Sequence, residues 1–289
     1  LDGHIIDGTG IDTGILNNGF DNVTIEDGLV TEFDYGVMLN PGSSKNTVTD
    51  LRLELNQEAG LGLADADQNG VGNTIKGNTL VENGIGIALY SNSRNQLITE
   101  NNVGGSLKEG IVLEQASGNT ITDNQIATSA GHAIWMQASS DNVVTGNDIV
   151  ASFHGIAIGE ELLPSNRNLV ESNRIVDGLG MGISVIDSVD NQILYNEVRD
   201  AQGGGIMLDL ARNTLIRGND LAGLSPRELT RYRRDTVGFV FQFFNLVPTL
   251  TARENVMVST EIARHPLDVD ESLALVELKA RSDHFPSQM

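Results

Sequence analysis

The sequence predicts a mainly β protein, a parallel β-helix over residues 1–220, followed by a helical or mixed α+β segment over residues 221–289. Two repeats and one break support this prediction. Asparagines recur every 22 to 27 residues, a glycine followed by alternating apolar residues recurs at a similar interval, and both repeats stop near residue 220. A repeat of this length is typical of one solenoid coil. We therefore expect about nine to ten stacked coils.

Each coil begins at an asparagine that opens a short β-branched stretch, as in residues 120–122. β-branched residues favour strands, and asparagine favours the turns between them. A second asparagine marks the next turn. Because amides stacked at equivalent turns can bond to one another, we interpret both asparagine columns as structural. The opening asparagines are Asn22, Asn46, Asn73, Asn95, Asn119, Asn142, Asn168, Asn191 and Asn213, and the second asparagines are Asn78, Asn101, Asn124, Asn147, Asn173, Asn196 and Asn219.

The third element of each coil is a strand that starts at a glycine. In residues 110–113 and 182–185 the glycine precedes apolar residues at alternate positions. Successive side chains of a strand point to opposite faces, so Ile, Val and Leu at every second position predict a narrow aliphatic core. The intervening positions face outward. Because the repeat residues build the coils, we expect function to reside in the outward columns.

Charge is distributed unevenly between the two parts of the chain. Residues 1–220 contain 10 Lys or Arg against 30 Asp or Glu, a net charge of −20, whereas residues 221–289 contain 8 against 9. Such an acidic surface repels nucleic acid phosphates and anionic lipid headgroups, and it suits cations or neutral sugars. We therefore expect no nucleic acid partner. The absence of cysteine excludes disulfides and thiolate metal sites.

In these asparagine and glycine repeats, residues 1–220 resemble right-handed parallel β-helix proteins of the NosD-like, periplasmic copper-binding kind, within the broader group of carbohydrate-binding and sugar-hydrolysing solenoids. The resemblance implies a right-handed solenoid in the periplasm or outside the cell, and we expect a monomer. Because Leu1 already lies within the repeat, we expect further residues before it. The shared residues are those that build coils, so the resemblance assigns no site.

One outward column contains three potential metal ligands on consecutive coils. The residue before the repeat glycine, or before its alanine replacement, is Glu109, His132 and His154 in turn. Strands of adjacent coils lie about 4.8 Å apart, so these side chains could converge on one copper or zinc ion. The alternative is that this bend tolerates any polar residue.

A second column contains two carboxylates, Glu100 and Asp123, each directly before a second asparagine. Like charges this close raise one pKa, as a catalytic acid/base pair needs. The alternative is again a tolerant turn position. No Lys or Arg accompanies the pair in that column.

A possible calcium loop lies in the longest gap of the repeat. Asp65, Asp67 and Asn69 precede Gly70 with the spacing of the first half of such a loop. The twelfth position is Lys76 instead of a glutamate, so an Asx-rich turn is the alternative.

Helix signals replace the repeat after residue 220. Residues 225–228 and 251–254 form capping boxes, and the apolar residues 237–241 between them predict a strand. The run TVGFVFQFFNLVPTLTARENV resembles the Q-loop region of ABC transporter ATPases of the lipoprotein- and macrolide-export type. By that resemblance Gln242 is the Q-loop glutamine. An intact relative would use ATP, magnesium and an ABC membrane subunit in the cytoplasm.

The ATPase resemblance is partial. None of the four lysines follows a phosphate-loop glycine pattern, and the sequence ends at HFPSQM, where that family continues into its SGGQ signature. We therefore expect no ATP hydrolysis by this chain on its own.

Three functions remain open. The first is a binding or scaffold solenoid for a polysaccharide or a metal ion, with no required cofactor; Trp135, an outward residue beside Gln137, could stack on a sugar ring. The second is a polysaccharide-active hydrolase, lyase or epimerase. The third is an ABC transporter component represented by a truncated or chimeric product.

Overall fold

The computed structural model describes residues 1–66, 70–221, 250–260, 268–275 and 278–285. The chain divides into two compact units, Leu1–Leu224 and Ser225–Met289. In the first unit, the described residues form two sheets of 16 and 9 strands. Each coil contributes one strand to the nine-stranded sheet. The predicted parallel β-helix of nine to ten coils is therefore confirmed, with about nine coils.

The 16-stranded sheet contains the first and second strands of each coil. Most of these strands have only three residues, because a turn at the second asparagine interrupts them. Neighbouring strands pair in parallel. The strands are β1 (His4–Asp7), β3 (Thr24–Thr31), β5 (Thr47–Glu54), β7 (Thr74–Lys76), β8 (Thr79–Val81), β10 (Leu97–Thr99), β11 (Asn102–Gly104), β13 (Thr120–Thr122), β14 (Gln125–Ala127), β16 (Val143–Thr145), β17 (Asp148–Val150), β19 (Leu169–Glu171), β20 (Arg174–Val176), β22 (Gln192–Leu194), β23 (Glu197–Arg199) and β25 (Leu215–Arg217).

The nine-stranded sheet contains the third strand of each coil. It is also parallel, with Tyr35 opposite Ala59 and Glu114 opposite Gln137. Its inward residues, such as Ile111 and Leu113, are fully buried. The strands are β2 (Thr13–Asn17), β4 (Tyr35–Leu39), β6 (Ala59–Ala64), β9 (Ile85–Tyr90), β12 (Ile111–Glu114), β15 (His132–Gln137), β18 (His154–Ile158), β21 (Met181–Ile186) and β24 (Gly204–Asp209).

The second asparagines form a buried ladder, as predicted, at a turn that we call the asparagine corner (Asn78, Asn101, Asn124, Asn147, Asn173, Asn196 and Asn219). Asn124 shows the repeated pattern. Its Oδ1 accepts the backbone N–H of Asn101 at 3.0 Å and the Asn101 side-chain amide at 2.9 Å. Its own amide donates to Asn147 Oδ1 and to the carbonyls of Ile98 and Thr122. Each amide therefore ties adjacent coils together.

The prediction that all opening asparagines occupy one ladder position needs a correction. Asn46, Asn73, Asn119, Asn142, Asn168 and Asn191 do bond from coil to coil. Asn22, Asn95 and Asn213 instead lie one residue earlier, with φ of 57°, 55° and 50°. Gln96 occupies the ladder in their place on one coil, where it accepts the Asn73 N–H at 2.9 Å. Asparagine fits both positions because it tolerates the left-handed conformation as well as the buried turn.

The repeat glycine before each third strand is required by close backbone approach. A Cβ at Gly110 would lie 2.6 Å from the carbonyl oxygen of Ala133, and one at Gly36 would lie 2.6 Å from that of Gly60. Atoms cannot approach this closely without displacing the neighbouring coil. The glycine column is therefore dictated by packing between coils and carries no binding information.

In the second unit, the described residues form two α-helices, α1 (Ala252–Thr260) and α2 (Val269–Leu275), and a 3-10 helix (Lys279–Arg281). The capping box predicted at α1 is present: Thr251 N–H donates to Glu254 Oε2 at 2.8 Å, and Glu254 N–H donates back to Thr251 Oγ1. Arg253 pairs with Asp270 between the two helices. No helix in the described ranges is long and apolar enough to cross a membrane. The predicted helix start at 225–228 and strand 237–241 lie outside the described residues.

Candidate functional site

The outward side of the nine-stranded sheet, which we call the outer face, contains an apolar floor. Ala88 and Val112 alternate with inward residues and so point away from the solenoid core, and Ala59 and Ile85 cluster with them; all four are buried. They are covered by three half-buried aromatic side chains, Tyr35, Tyr90 and Trp135. Aromatic rings over an apolar floor make a surface on which another ring can pack.

His132 lies in the middle of the outer face. Its Nδ1 is 3.8 Å from Glu109 Oε1 on the preceding coil. That nitrogen is buried and has no hydrogen-bond partner among the described residues. The imidazole also stacks on Trp135, with ring centroids 5.3 Å apart. The predicted neighbours Glu109 and His132 are therefore brought within 4 Å of each other.

His154 also stacks on the His132 ring, with centroids 4.9 Å apart. Its Nδ1 accepts the backbone N–H of Met181 at 3.0 Å, so the neutral ring carries its proton on Nε2. Burial, and secondarily the neighbouring His132, lowers the pKa of His154 below its ordinary value of 6.5. This imidazole is held neutral and fixed in one tautomer.

A pocket of about 290 Å³ lies beside the apolar floor and is lined by Tyr35, Tyr90, Ser91, Glu114 and Gln115. Glu114 is paired in register with Tyr90 on the adjacent strand. Tyr35, Tyr90 and Glu114 were not among the site residues predicted from the sequence. The alternating pattern of the strands could have indicated part of this pocket. It places one outward column two residues after another: Tyr90, Glu114 and Gln137 follow Ala88, Val112 and Trp135.

Glu100 and Asp123 lie at the asparagine corner, away from the outer face. Both have positive φ, 55° and 56°, at the equivalent position of successive coils. Glu100 pairs with Lys76 at 3.3 Å, and the Thr122 hydroxyl donates to Asp123 at 2.9 Å. Short polar side chains are among the few that tolerate this backbone conformation, and this accounts for Asp123 without catalysis. A catalytic role for the pair stays a prediction.

Two other predicted sites fall partly or wholly outside the described residues. Asp65 has a positive φ of 46°, as a turn residue does, but Asp67 and Asn69 are not described, and neither is the Q-loop candidate Gln242. The calcium and nucleotide roles of these residues stay predictions.

The β-helix of the first unit, which we call the rod, matches a known protein family. The profile of the NosD family, described as periplasmic copper-binding protein, matches residues 2–162 and 159–225. These segments cover well over half of the chain. The chain belongs to the NosD family. The family resemblance seen in the repeats is thereby confirmed, and the matched residues are those that form the coils of this NosD-family rod.

The family description names copper, and the outer face contains three potential copper ligands, Glu109, His132 and His154. Among the described residues, no group of three or more His, Cys, Asp or Glu side chains is arranged to hold a metal ion. The rings of His132 and His154 lie face to face, and the Nδ1 lone pair of His154 is already engaged by Met181. A copper site needs nitrogen lone pairs directed at one point. As arranged, Glu109, His132 and His154 do not fit copper.

Two solved structures share the fold at low sequence identity. The chain matches the mannuronan C-5 epimerase AlgE6 A-module of Azotobacter vinelandii with a TM-score of 0.57 and 14% identity, over 71% of this chain and 59% of that one. It matches the catalytic unit of a GH87 α-1,3-glucanase from Streptomyces thermodiastaticus with a TM-score of 0.54 and 11% identity, over 72% and 50%. At these identities the similarity establishes the fold alone.

A second set of relatives consists of ABC ATPases. An 80-residue stretch is 44% identical to the macrolide export ATP-binding/permease protein MacB of Brucella abortus, covering 26% of this chain and 12% of that protein. A 91-residue stretch is 47% identical to an ABC transporter ATP-binding protein of Mycobacterium tuberculosis, covering 30% and 28%. The NosD-family chain therefore also contains a stretch similar to ABC ATPases, which we call the ABC segment, and it spans less than half the length of the curated relatives it matches.

Proposed function

We propose that the outer face binds a carbohydrate whose sugar ring stacks on Trp135. The observation that carries this proposal is the half-buried Trp135 ring, held from one side by His132 and resting on the apolar floor. An aromatic ring fixed in this way loses little entropy when a ligand packs on it. Both solved structures compared above are named as enzymes, one for mannuronan and one for α-1,3-glucan.

The polar groups around Trp135 suit a sugar that is not an anion. Glu109 and Glu114 lie on the preceding coil, on either side of Val112, the register partner of Trp135. Gln137 lies two residues beyond Trp135, and its amide donates to Glu160 at 2.6 Å. Carboxylates accept hydrogen bonds from hydroxyl groups, and amides both accept and donate them. Polyuronates would be repelled by this face and by the net charge of −20 on residues 1–220.

The test uses the single tryptophan of the chain. Titration with neutral gluco-oligosaccharides should change the intrinsic fluorescence of Trp135 in a saturable way. By calorimetry, Trp135→Ala should weaken binding about tenfold, equivalent to about 1.4 kcal/mol. Tyr195→Ala is the matched control, because Tyr195 is an aromatic residue exposed at the asparagine corner. Equal loss in both variants, or no binding by the wild type, would overturn the proposal.

A second candidate function is glycan processing at the same face. It is favoured by His132 Nδ1, which has no hydrogen-bond partner in the described part of the chain and lies 3.8 Å from Glu109 Oε1, so that the two residues could serve as general acid and base. Glycan turnover that is lost in His132→Gln while binding is retained would support an enzyme. Binding without turnover in the wild type would leave the outer face as a binding surface.

We also propose that the rod acts outside the cytoplasm, since the family matching it is described as periplasmic. The ABC segment supplies no phosphate-loop lysine in this sequence. We therefore propose that it does not hydrolyse ATP here. An ATPase assay on the purified chain, with magnesium, tests this directly.

A further inference from the structure

We infer that the pocket between Tyr35, Tyr90 and Glu114 is a subsite for a protonated amino group, so that the glycan bound by the outer face contains amino sugars. This inference rests on the carbohydrate-binding function proposed above. It specifies the class of glycan and adds the pocket residues, of which Glu114 alone was named above among the polar groups around Trp135.

The pocket is formed by three neighbouring strands. Tyr35 lies on β4, Tyr90 on β9, and Glu114 on β12, directly opposite Tyr90 in the register. Space for the Tyr35 ring exists because Gly62 lies beside it, where a Cβ would be 3.1 Å from the ring. At about 290 Å³ the pocket is near the lower end of ligand sites, which begin at about 300 Å³. It therefore suits one sugar residue or one substituent.

The negative charge of Glu114 favours a cationic ligand in this pocket. Burial first, then Tyr35, and to a smaller extent the negative charges of Glu114 and Glu58 raise the pKa of the Tyr90 hydroxyl above its ordinary value of 10.0. Lys108 neutralises Glu58 at 3.3 Å. Within the described ranges, no basic side chain lies within 4.0 Å of the Glu114 carboxylate. A ligand ammonium would supply the missing counter-charge.

The two tyrosines add to this preference. A cation near an aromatic face is attracted by the ring quadrupole, and more strongly where water is excluded. A metal ion is a poorer fit, since the pocket offers one unpaired carboxylate and a divalent ion requires several ligands. An ammonium needs only a carboxylate and aromatic walls.

One oligosaccharide can reach both parts of the outer face. Tyr90 and Trp135 lie two coils apart, on β9 and β15 with β12 between them. At about 4.8 Å per coil, the separation along the solenoid is roughly 10 Å. Both rings pack on the same floor, which includes Val112. A sugar chain lying along the solenoid can therefore stack on Trp135 and place an amino group beside Glu114.

The experiment compares two oligosaccharides that differ only in N-acetylation. Calorimetry with hexamers of glucosamine and of N-acetylglucosamine, at a pH where the free amine is protonated, should show at least tenfold tighter binding of the amine. Glu114→Gln should remove this preference, and Glu171→Gln, a carboxylate change on β19 of the other sheet, should preserve it. Raised salt should weaken amine binding in the wild type more than in Glu114→Gln.

The outcomes separate the two proposals. Equal binding of both hexamers, still weakened by Trp135→Ala, would overturn the amino-group subsite and leave the carbohydrate site standing. An amine preference that survives Glu114→Gln would also overturn the subsite. No binding of either hexamer or of neutral gluco-oligosaccharides would overturn both. Glu114 is exposed, so its variant should keep the wild-type melting temperature, which verifies folding.

Discussion

The asparagine corner and the outer face are built from the same coils, yet they use the repeat in opposite ways. At the corner, each coil contributes the same residue, and Asn101, Asn124 and Asn147 make the same bonds. On the outer face, successive coils contribute Glu109, His132 and His154 at one register position. Where successive coils carry the same residue, the side chains bond to one another and stabilise the fold. Where successive coils carry different residues, their side chains can form a site.

The difference has a physical origin. The corner is buried, so every amide must be satisfied by its neighbours, and only asparagine or a close analogue has the required donor and acceptor. The outer face is partly solvated, and its side chains are limited by size and by the adjacent strand alone. Substitution should therefore damage the fold at the corner and ligand binding at the face.

The largest expected effect is at the corner. Asn124→Ala removes five hydrogen bonds and leaves the amide N–H of Asn101 and the carbonyl of Ile98 without their partners. Because unsatisfied buried groups cost about 1–3 kcal/mol each, we expect the free energy of unfolding to fall by roughly 3–5 kcal/mol. Urea denaturation measures this directly.

Gln125→Ala is the control for the corner, since Gln125 is the next residue and is exposed. It should change the free energy of unfolding by less than about 0.5 kcal/mol. A loss at Gln125 equal to that at Asn124 would break the comparison, because stability would then not depend on the buried ladder.

The same contrast explains how much could be predicted from the sequence. The corner was predicted in full, because one residue type satisfies one buried geometry and so repeats visibly. The opening ladder was predicted less well: Gln96 replaces an asparagine there, while Asn95 precedes it in a left-handed conformation. Asparagine suits both positions, so spacing alone could not separate them.

The outer face was predicted in part. The column of Glu109, His132 and His154 follows from register, which the glycines define. Its chemistry does not follow, since the ring stacking and the hydrogen bond from Met181 depend on side-chain rotation. The pocket of Tyr35, Tyr90 and Glu114 depends on residues from three different coils and two outward columns, and such a combination has no repeat signal.

The second prediction concerns pH and the outer face. The folded-state pKa of His154 is lowered, chiefly by burial, below 6.5. As pH falls through 6.5, the unfolded chain therefore takes up this proton before the folded chain, and the free energy of unfolding decreases until the folded pKa is reached. His154→Gln should remove this part of the pH dependence while keeping an acceptor for Met181 N–H.

Urea denaturation of wild type and His154→Gln between pH 5 and 8 measures the effect, because the carboxylates contribute equally to both proteins. His132→Gln should reduce the dependence only partly, since His132 is the smaller cause of the lowered pKa. Identical pH profiles in wild type and His154→Gln would show that this imidazole is solvated, contrary to the buried geometry.

A smaller effect is expected at the exposed rim of the corner. Glu100 pairs with Lys76 at 3.3 Å, and both side chains are at least half exposed. Exposed pairs contribute about 0.2–1 kcal/mol, so Glu100→Gln should reduce stability within that range and less at high salt. A double-mutant cycle with Lys76→Met isolates the pair. If Glu100→Gln instead abolished glycan turnover, the predicted catalytic pair of Glu100 and Asp123 would be supported over Glu109 and His132.

The smallest expected effect is that of copper on the outer face. To bind Glu109, His132 and His154 together, copper(II) must turn two stacked imidazoles and break the bond from Met181 N–H to His154 Nδ1. We therefore expect its Kd to exceed micromolar copper concentrations, which limits stabilisation to less than about 0.4 kcal/mol. Calorimetry and thermal melts with copper(II) and zinc check this. Stoichiometric binding that His132→Ala weakens tenfold would instead establish a metal site there. It would also show that the imidazoles of His132 and His154 change their orientation when the ion binds.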